Sequence, residues 1–349
     1  MSPKKVFITG ATGYIGGEVL RRLLHSDDDY EITALVRSAA KGDQIAAKTD
    51  SRFHYVIGDL SNVELLTSNV HNSDIVINTA DVDHLESAEA LVKALLSKET
   101  PTVLVHTSGT SVVGVQDSPS RKKVYSDNKD IDVINLLPLE QPHRPVDKLI
   151  LESFEKHPLV QAAIICPSNI YGRGSGLGNP ISQQIPGIIR LALDERQVFT
   201  VHDGDYIWSH IHIADLAELY YLVLKGLLNK KDIPQGKNGY YFGSYFFDSD
   251  KEPEPTDKPT SIEHTWRQVS EYIARLLEAK NLLDTTDLGL LNDDDVARLH
   301  EKYIPFSWGT NSRTRGDNGA LIGWKPVHVS DDLFWTSIDE DIDFICSIN

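Results

Sequence analysis

The stretch that most constrains this chain starts at its sixth residue, where Val6-Phe7-Ile8-Thr9 runs into Gly10, Gly13 and Gly16, spaced three apart. An amphipathic run follows, with Ile15, Val19, Leu20, Leu23 and Leu24 on one helical face. Those features describe a buried parallel strand, a tight turn, and a helix whose first N–H groups face an anion. Gly10 permits the turn, Gly13 lets a pyrophosphate approach the backbone, and Gly16 lets helix and strand pack closely. Between a strand and a helix, the three glycines predict a dinucleotide site that also takes in Thr12, Tyr14 and Ile15.

The chain then keeps alternating. Apolar segments at 31–36, 54–57, 74–78, 102–106 and 160–166 read as strands, and 86–96 and 145–156 as helices. Short links between them imply an α/β protein with a doubly wound parallel sheet, its ligands outside the carboxyl ends of the strands. An acid about 20 positions past the glycines would bind a ribose 2′-hydroxyl, whereas an arginine there suits a 2′-phosphate. Arg37 stands at that place, which favours NADP over NAD.

Composition narrows the partners. A net charge of −17 argues against a nucleic-acid backbone, which needs a positive face. Cys166 and Cys346 lie far apart and in no metal-type spacing, which fits a reducing compartment. No apolar run approaches membrane-spanning length, so the expectation is a soluble cytoplasmic protein with a small-molecule substrate and neither nucleic acid nor membrane as partner. Residues 116–142 read as a polar surface excursion, 248–259 as a solvated linker, and 333–345 as a last helix. The five tryptophans, Trp208, Trp266, Trp308, Trp324 and Trp335, read as core aromatics, and Asp293 to Asp295 as a helix start.

Further motifs follow in order: Gly58-Asp59-Leu60, Asn78-Thr79-Ala80, Thr107-Ser108-Gly109, Pro167-Ser168-Asn169-Ile170-Tyr171-Gly172, His212-Ile213-Ala214-Asp215-Leu216-Ala217, and Leu321-Ile322-Gly323-Trp324-Lys325-Pro326. With the glycine turn, they make the chain resemble an extended short-chain dehydrogenase/reductase of the NAD(P)-dependent epimerase/dehydratase superfamily. The resemblance spans nearly the whole chain. It implies a Rossmann core over 1–170, with 200–243 partly returning to it. A smaller mixed α/β domain of 171–199 and 244–349 would cover the substrate. It places Asp59 and Leu60 along the adenine, Thr79 and Ala80 at the cofactor, and Pro167 to Ile170 by the nicotinamide. A homodimer is expected by the same resemblance. It also makes a metal site at His210 and His212 unexpected.

One departure bears on mechanism. The family carries Tyr-x-x-x-Lys on a helix, preceded by a Ser or Thr on a strand. Here Lys148 has Arg144, not tyrosine, four residues earlier, and the hydroxyl position falls near Gly109, between Ser108 and Thr110. Arginine gives up no proton near pH 7, although it suits a carboxylate or a carbonyl oxygen. His143 is adjacent, an imidazole being suited to proton exchange near neutrality, and Asp147 lies at i+4 from it. The expected constellation is therefore His143, Arg144 and Lys148. Lys148 would hold the ribose, Ser108 or Thr110 the carbonyl oxygen, and His143 or a water would give the proton. Tyr125 and Tyr171 are the alternative phenols. Two readings stay open: an NADP-dependent oxidoreductase, with carbonyl, alcohol or epimerase/dehydratase-type hydride chemistry, and a catalytically silent NADP(H)-binding redox sensor of the NmrA-like kind.

Overall fold

Strands that read as continuous apolar runs need cover on both faces, and a parallel sheet between helical layers provides it. In the computed structural model, which describes residues 2–116, 122–155, 157–245, 256, 258–303 and 305–348, seven strands form one such sheet. They are β1 Lys4–Thr9, β2 Tyr30–Val36, β3 Phe53–Ile57, β4 Ile75–Asn78, β5 Thr102–Thr107, β6 Val160–Pro167 and β7 Tyr240–Gly243. Their order is β3-β2-β1-β4-β5-β6-β7, and every neighbouring pair is parallel.

Alternation along each strand splits the side chains between two cores. Val6, Ile8, Ile75 and Ile77 face one layer, holding helix α1 Tyr14–Leu24. Phe7, Val76 and Leu104 face the other, holding α2 Val63–His71, α3 Leu85–Leu96 and α4 Arg144–Phe154. The first layer is completed by α5 Ile213–Leu228, which packs along α1.

A third apolar cluster lies beyond the sheet, around Trp208, Trp266, Trp308 and Phe334. It is organised by a three-stranded sheet of Asn169–Tyr171, Ile207–His212 and Glu263–Thr265. Helix Trp266–Ala279 begins with a capping box in which Thr265 and Gln268 satisfy each other's free N–H groups. Asp293, Asp294 and Asp295 occupy the first turn of Asp293–Tyr303, where the helix dipole favours negative charge. The last helix is Asp331–Ile348. Four of the tryptophans are buried and Trp335 partly so.

The expected surface excursion is corrected for its described part. Tyr125–Ser126 pairs with Thr314–Arg315, and Ile131–Asn135 is helical. Asp127 beside them is fully buried, because it closes the edge of the sheet. Its Oδ2 accepts the N–H of Phe242 at 2.7 Å, and its Oδ1 that of Asn318 at 2.9 Å. Asn318 in turn donates to the Tyr240 carbonyl at 2.8 Å. The open edge of β7 is thus capped rather than left to pair with another chain. The expected linker falls outside the described residues except at 256, 258 and 259. Among the described residues no helix is long and apolar enough to cross a membrane.

Candidate active site

At the end of β1 the chain turns on Gly10 at φ 78°, in the left-handed region that side chains disfavour. A methyl at Gly10 would stand 2.5 Å from the Thr79 carbonyl, so β1 and β4 approach here as only glycine allows. The Gly13 N–H donates back to the Gly10 carbonyl at 2.8 Å. Helix α1 then starts with no side-chain cap and no acid in its first turn. Among the described residues, nothing accepts from the N–H groups of Tyr14, Ile15 and Gly16. Three free donors at the positive end of a helix suit a diphosphate.

Arg37 lies just past β2, exposed and in no ion pair among the described residues. Asp59 is exposed and accepts the Ser61 N–H at 2.9 Å, while Leu60 is half-buried. Thr79 donates its hydroxyl to the Thr9 carbonyl at 2.6 Å, with Ala80 half-buried beside it. Pro167 ends β6, and Ile170 is half-buried just beyond. Except for Lys148, the residues expected to hold the cofactor lie at the carboxyl end of the sheet, around the point between β1 and β4 where strand order reverses. Thr12 and Tyr14 also fasten the turn to the segment after β6. The Thr12 carbonyl accepts from Asn179 N–H at 3.0 Å, and the Tyr14 hydroxyl donates to the Gly172 carbonyl at 2.6 Å.

Next to the turn, Thr9, Asn78 and His106 stand in register across β1, β4 and β5. Thr9 donates to Asn78, whose amide meets His106 Nδ1 at 3.0 Å. Burial, and then the neighbouring His143, hold the His106 imidazole down to about 3, so it is neutral. His143 itself immediately precedes α4 at φ 67°, a left-handed conformation for a non-glycine residue. Both its nitrogens are engaged: Nδ1 lies 2.8 Å from Asp83 Oδ1, and Nε2 lies 2.6 Å from Ser111 Oγ. Partial burial raises the Asp83 carboxyl, but the hydrogen bond and charge of His143 outweigh it and leave the carboxyl below its ordinary value.

The other expected catalytic residues are not brought together. Arg144 is corrected to a structural role: its buried guanidinium donates to the Asn135 carbonyl at 2.5 Å, the Leu137 carbonyl at 3.3 Å and the Tyr240 hydroxyl at 3.2 Å. Lys148 is 43% exposed and faces Glu152 at 3.8 Å. Asp147 makes no hydrogen bond to the His143 ring through its carboxylate, although its backbone N–H donates to the His143 carbonyl at 3.0 Å. Its Oδ2 accepts from Ser108 at 2.8 Å and from Tyr240 at 3.0 Å, and burial pushes its carboxyl up to about 6. Ser108 is therefore committed beneath the site, and Thr110 is fully buried. Tyr125 lies in the short strand paired with Thr314–Arg315, and Tyr171 donates to the His328 carbonyl at 2.6 Å. His210 stacks on Phe334 at 4.1 Å and meets His264 at 3.3 Å. No cluster of three metal-ligating side chains exists among the described residues. Asp83 and Ser111 belong to no local motif that marks them; the fold delivers them to His143 from sites 60 and 32 residues away.

The family model for the NAD-dependent epimerase/dehydratase family matches residues 6–233. Along 93% of both chains the protein is 29% identical to the oxidase ucsJ of Acremonium sp. In fold it is similar to the dTDP-glucose 4,6-dehydratase of Bacillus anthracis, solved with NAD, with a TM-score of 0.63 and 17% identity over 99% of this chain and 97% of that one. It is similar too to the UDP-glucuronic acid 4-epimerase of Bacillus cereus, solved with UDP-glucuronic acid and NAD, with a TM-score of 0.64 and 16% identity over 98% and 99%.

Proposed function

The chain belongs to the NAD-dependent epimerase/dehydratase family, and from that premise we propose that it is an NADP-dependent oxidoreductase acting on a small carbonyl compound or alcohol. One observation carries the reading: an imidazole bonded at both nitrogens stands at the same end of the sheet as three unaccepted N–H groups. The full-length similarity to a protein named an oxidase supports it. The N–H groups of Tyr14, Ile15 and Gly16 hold the diphosphate, Arg37 the 2′-phosphate, and Asp59 and Leu60 the adenine side. Ala80, Pro167 and Ile170 border the nicotinamide. The bound coenzyme supplies or accepts the hydride, and the protein orients the substrate and exchanges its proton. His143 is the proton-exchanging group here, a role worth about 10²–10⁴ in rate.

The test is calorimetric titration with NADPH and NADH, followed by loss of coenzyme absorbance over a panel of aldehydes and ketones. NADPH is expected to bind more tightly and to be consumed. Arg37→Ala should weaken NADPH about tenfold or more, the worth of a charge-assisted phosphate contact, and leave NADH unchanged. Equal affinity for both coenzymes would refute the 2′-phosphate contact. Uptake without turnover on every carbonyl would favour the silent sensor.

A further inference from the structure

Resting on that reading, we propose that Asp83, His143 and Ser111 form a proton relay whose substrate end is the Ser111 hydroxyl. The order carboxylate, imidazole, hydroxyl is that of a serine triad, in which the carboxylate fixes the tautomer and stabilises the imidazolium. Distances of 2.8 Å and 2.6 Å lie within hydrogen-bond range on both sides of the ring. Asp83 comes from the loop before α3, Ser111 from the turn Thr110–Val113 after β5, and His143 from the start of α4. A constellation drawn from three elements around a residue at positive φ indicates a conformation held for use.

The neighbours leave the role to Ser111. Ser108 donates to Asp147, and the Thr110 hydroxyl is fully buried, whereas Ser111 is half-buried. Gly109, at the position of the family's hydroxyl residue, lacks the atom that would collide with the ring: a Cβ there would sit 2.8 Å from His143 Nε2. The ionisable groups that interact with His143 are Asp83 from the loop, His106 from β5 and Asp147 from its own helix.

In reduction, the coenzyme would supply the hydride of the new C–H bond, and the carbonyl π pair would move to oxygen. The Ser111 O–H bond breaks and gives its proton to that oxygen. Ser111 Oγ takes a proton from Nε2 of the imidazolium, which reloads from solvent. Asp83 stays ionised throughout and accepts the hydrogen bond of the Nδ1–H, whose proton stays on the ring. Oxidation of an alcohol runs the same transfers backwards.

The experiment uses the full chain with NADPH and the best carbonyl of the panel. Ser111→Ala should lower kcat about a hundredfold with NADPH affinity unchanged, and Ser111→Thr should restore most of it. Asp83→Asn should lower kcat with NADPH affinity unchanged, because the carboxylate that orients the ring is removed. A readout apart from turnover is the imidazole spectrum of ¹⁵N-histidine-labelled protein without coenzyme. The low-field Nδ1 proton assigned through His143→Gln should be lost in Asp83→Asn, and the Nε2 signal should move in Ser111→Ala. Full kcat in Ser111→Ala, or an Nδ1 proton indifferent to Asp83→Asn, would overturn the relay while coenzyme-dependent turnover still upheld the oxidoreductase. Failure to take up NADPH would instead refute that reading, with the spectrum still reporting on the three residues.

Discussion

Gly109→Ala is the smallest change that reaches the centre of the site. The backbone at Gly109 has φ −162°, extended and open to any residue, so alanine adds no conformational strain there. The effect comes from contact alone. The new carbon would lie 2.8 Å from His143 Nε2 and 3.2 Å from its Cδ2, both inside the about 3.5 Å of ordinary contact, while its 3.4 Å to Ser111 Oγ is ordinary. The ring must retreat by about 0.7 Å or more, yet it is tethered to Asp83 on one side and Ser111 on the other. Moved that far, the 2.6 Å contact to Ser111 approaches or passes the limit of a hydrogen bond. One lost bond costs about 1–2 kcal/mol of stability. A misplacement of this order lowers turnover about a hundredfold. Steady-state carbonyl reduction, NADPH calorimetry and thermal melting on the same preparation separate these effects. The expected pattern is a large fall in kcat, a small fall in Tm and an unchanged Kd for NADPH. A variant with wild-type kcat and an unmoved His143 spectrum would refute both the crowding and the role given to the imidazole.

Two further predictions concern stability. Burial raises the Asp341 carboxyl to about 7, against Arg173, which lowers it, so the folded state favours the protonated acid. That contribution is full below pH about 4 and is lost as pH rises through about 7, by about 4 kcal/mol at most. Asp341→Asn should therefore gain stability relative to wild type across this window in chemical denaturation, and a constant difference from pH 4 to pH 8 would refute the assignment. Arg313 and Glu263 form a bidentate pair at 2.7 Å with side chains 1% and 4% exposed. Arg313→Met should cost about 3–5 kcal/mol by stranding the carboxylate, and adding Glu263→Leu should recover part of it. A double variant no more stable than the single one would show that the pair does not act as a unit.

The parts of the fold written in local pattern were legible. The glycine turn, the alternating strands and the helix starts each rest on neighbouring residues, and the structure places them as expected. The edge cap of β7 was not legible, because Asp127 and Asn318 meet only after the sheet has formed. The same limit hid Asp83 and Ser111. The error over Arg144 has a simpler origin. Pairs 144/148 and 143/147 both satisfy i, i+4 spacing, and they differ by one residue, about 100° around the helix. Val146, Ile150 and Leu151 fix the buried face of the helix, which takes in Arg144 and Asp147 and leaves Lys148 outward.

The segment Gly172–Asn179 is stitched to the glycine turn through Tyr14, Thr12 and the Ser175–Glu18 contact at 2.7 Å. It also follows β6 on the way to the region around Trp208 and Trp266. If the turn holds the proposed dinucleotide and the region beyond the sheet holds the proposed substrate, tightening of the one would be felt at the other, and in equal measure in both directions. Whatever factor coenzyme lends to substrate affinity, substrate must return to coenzyme.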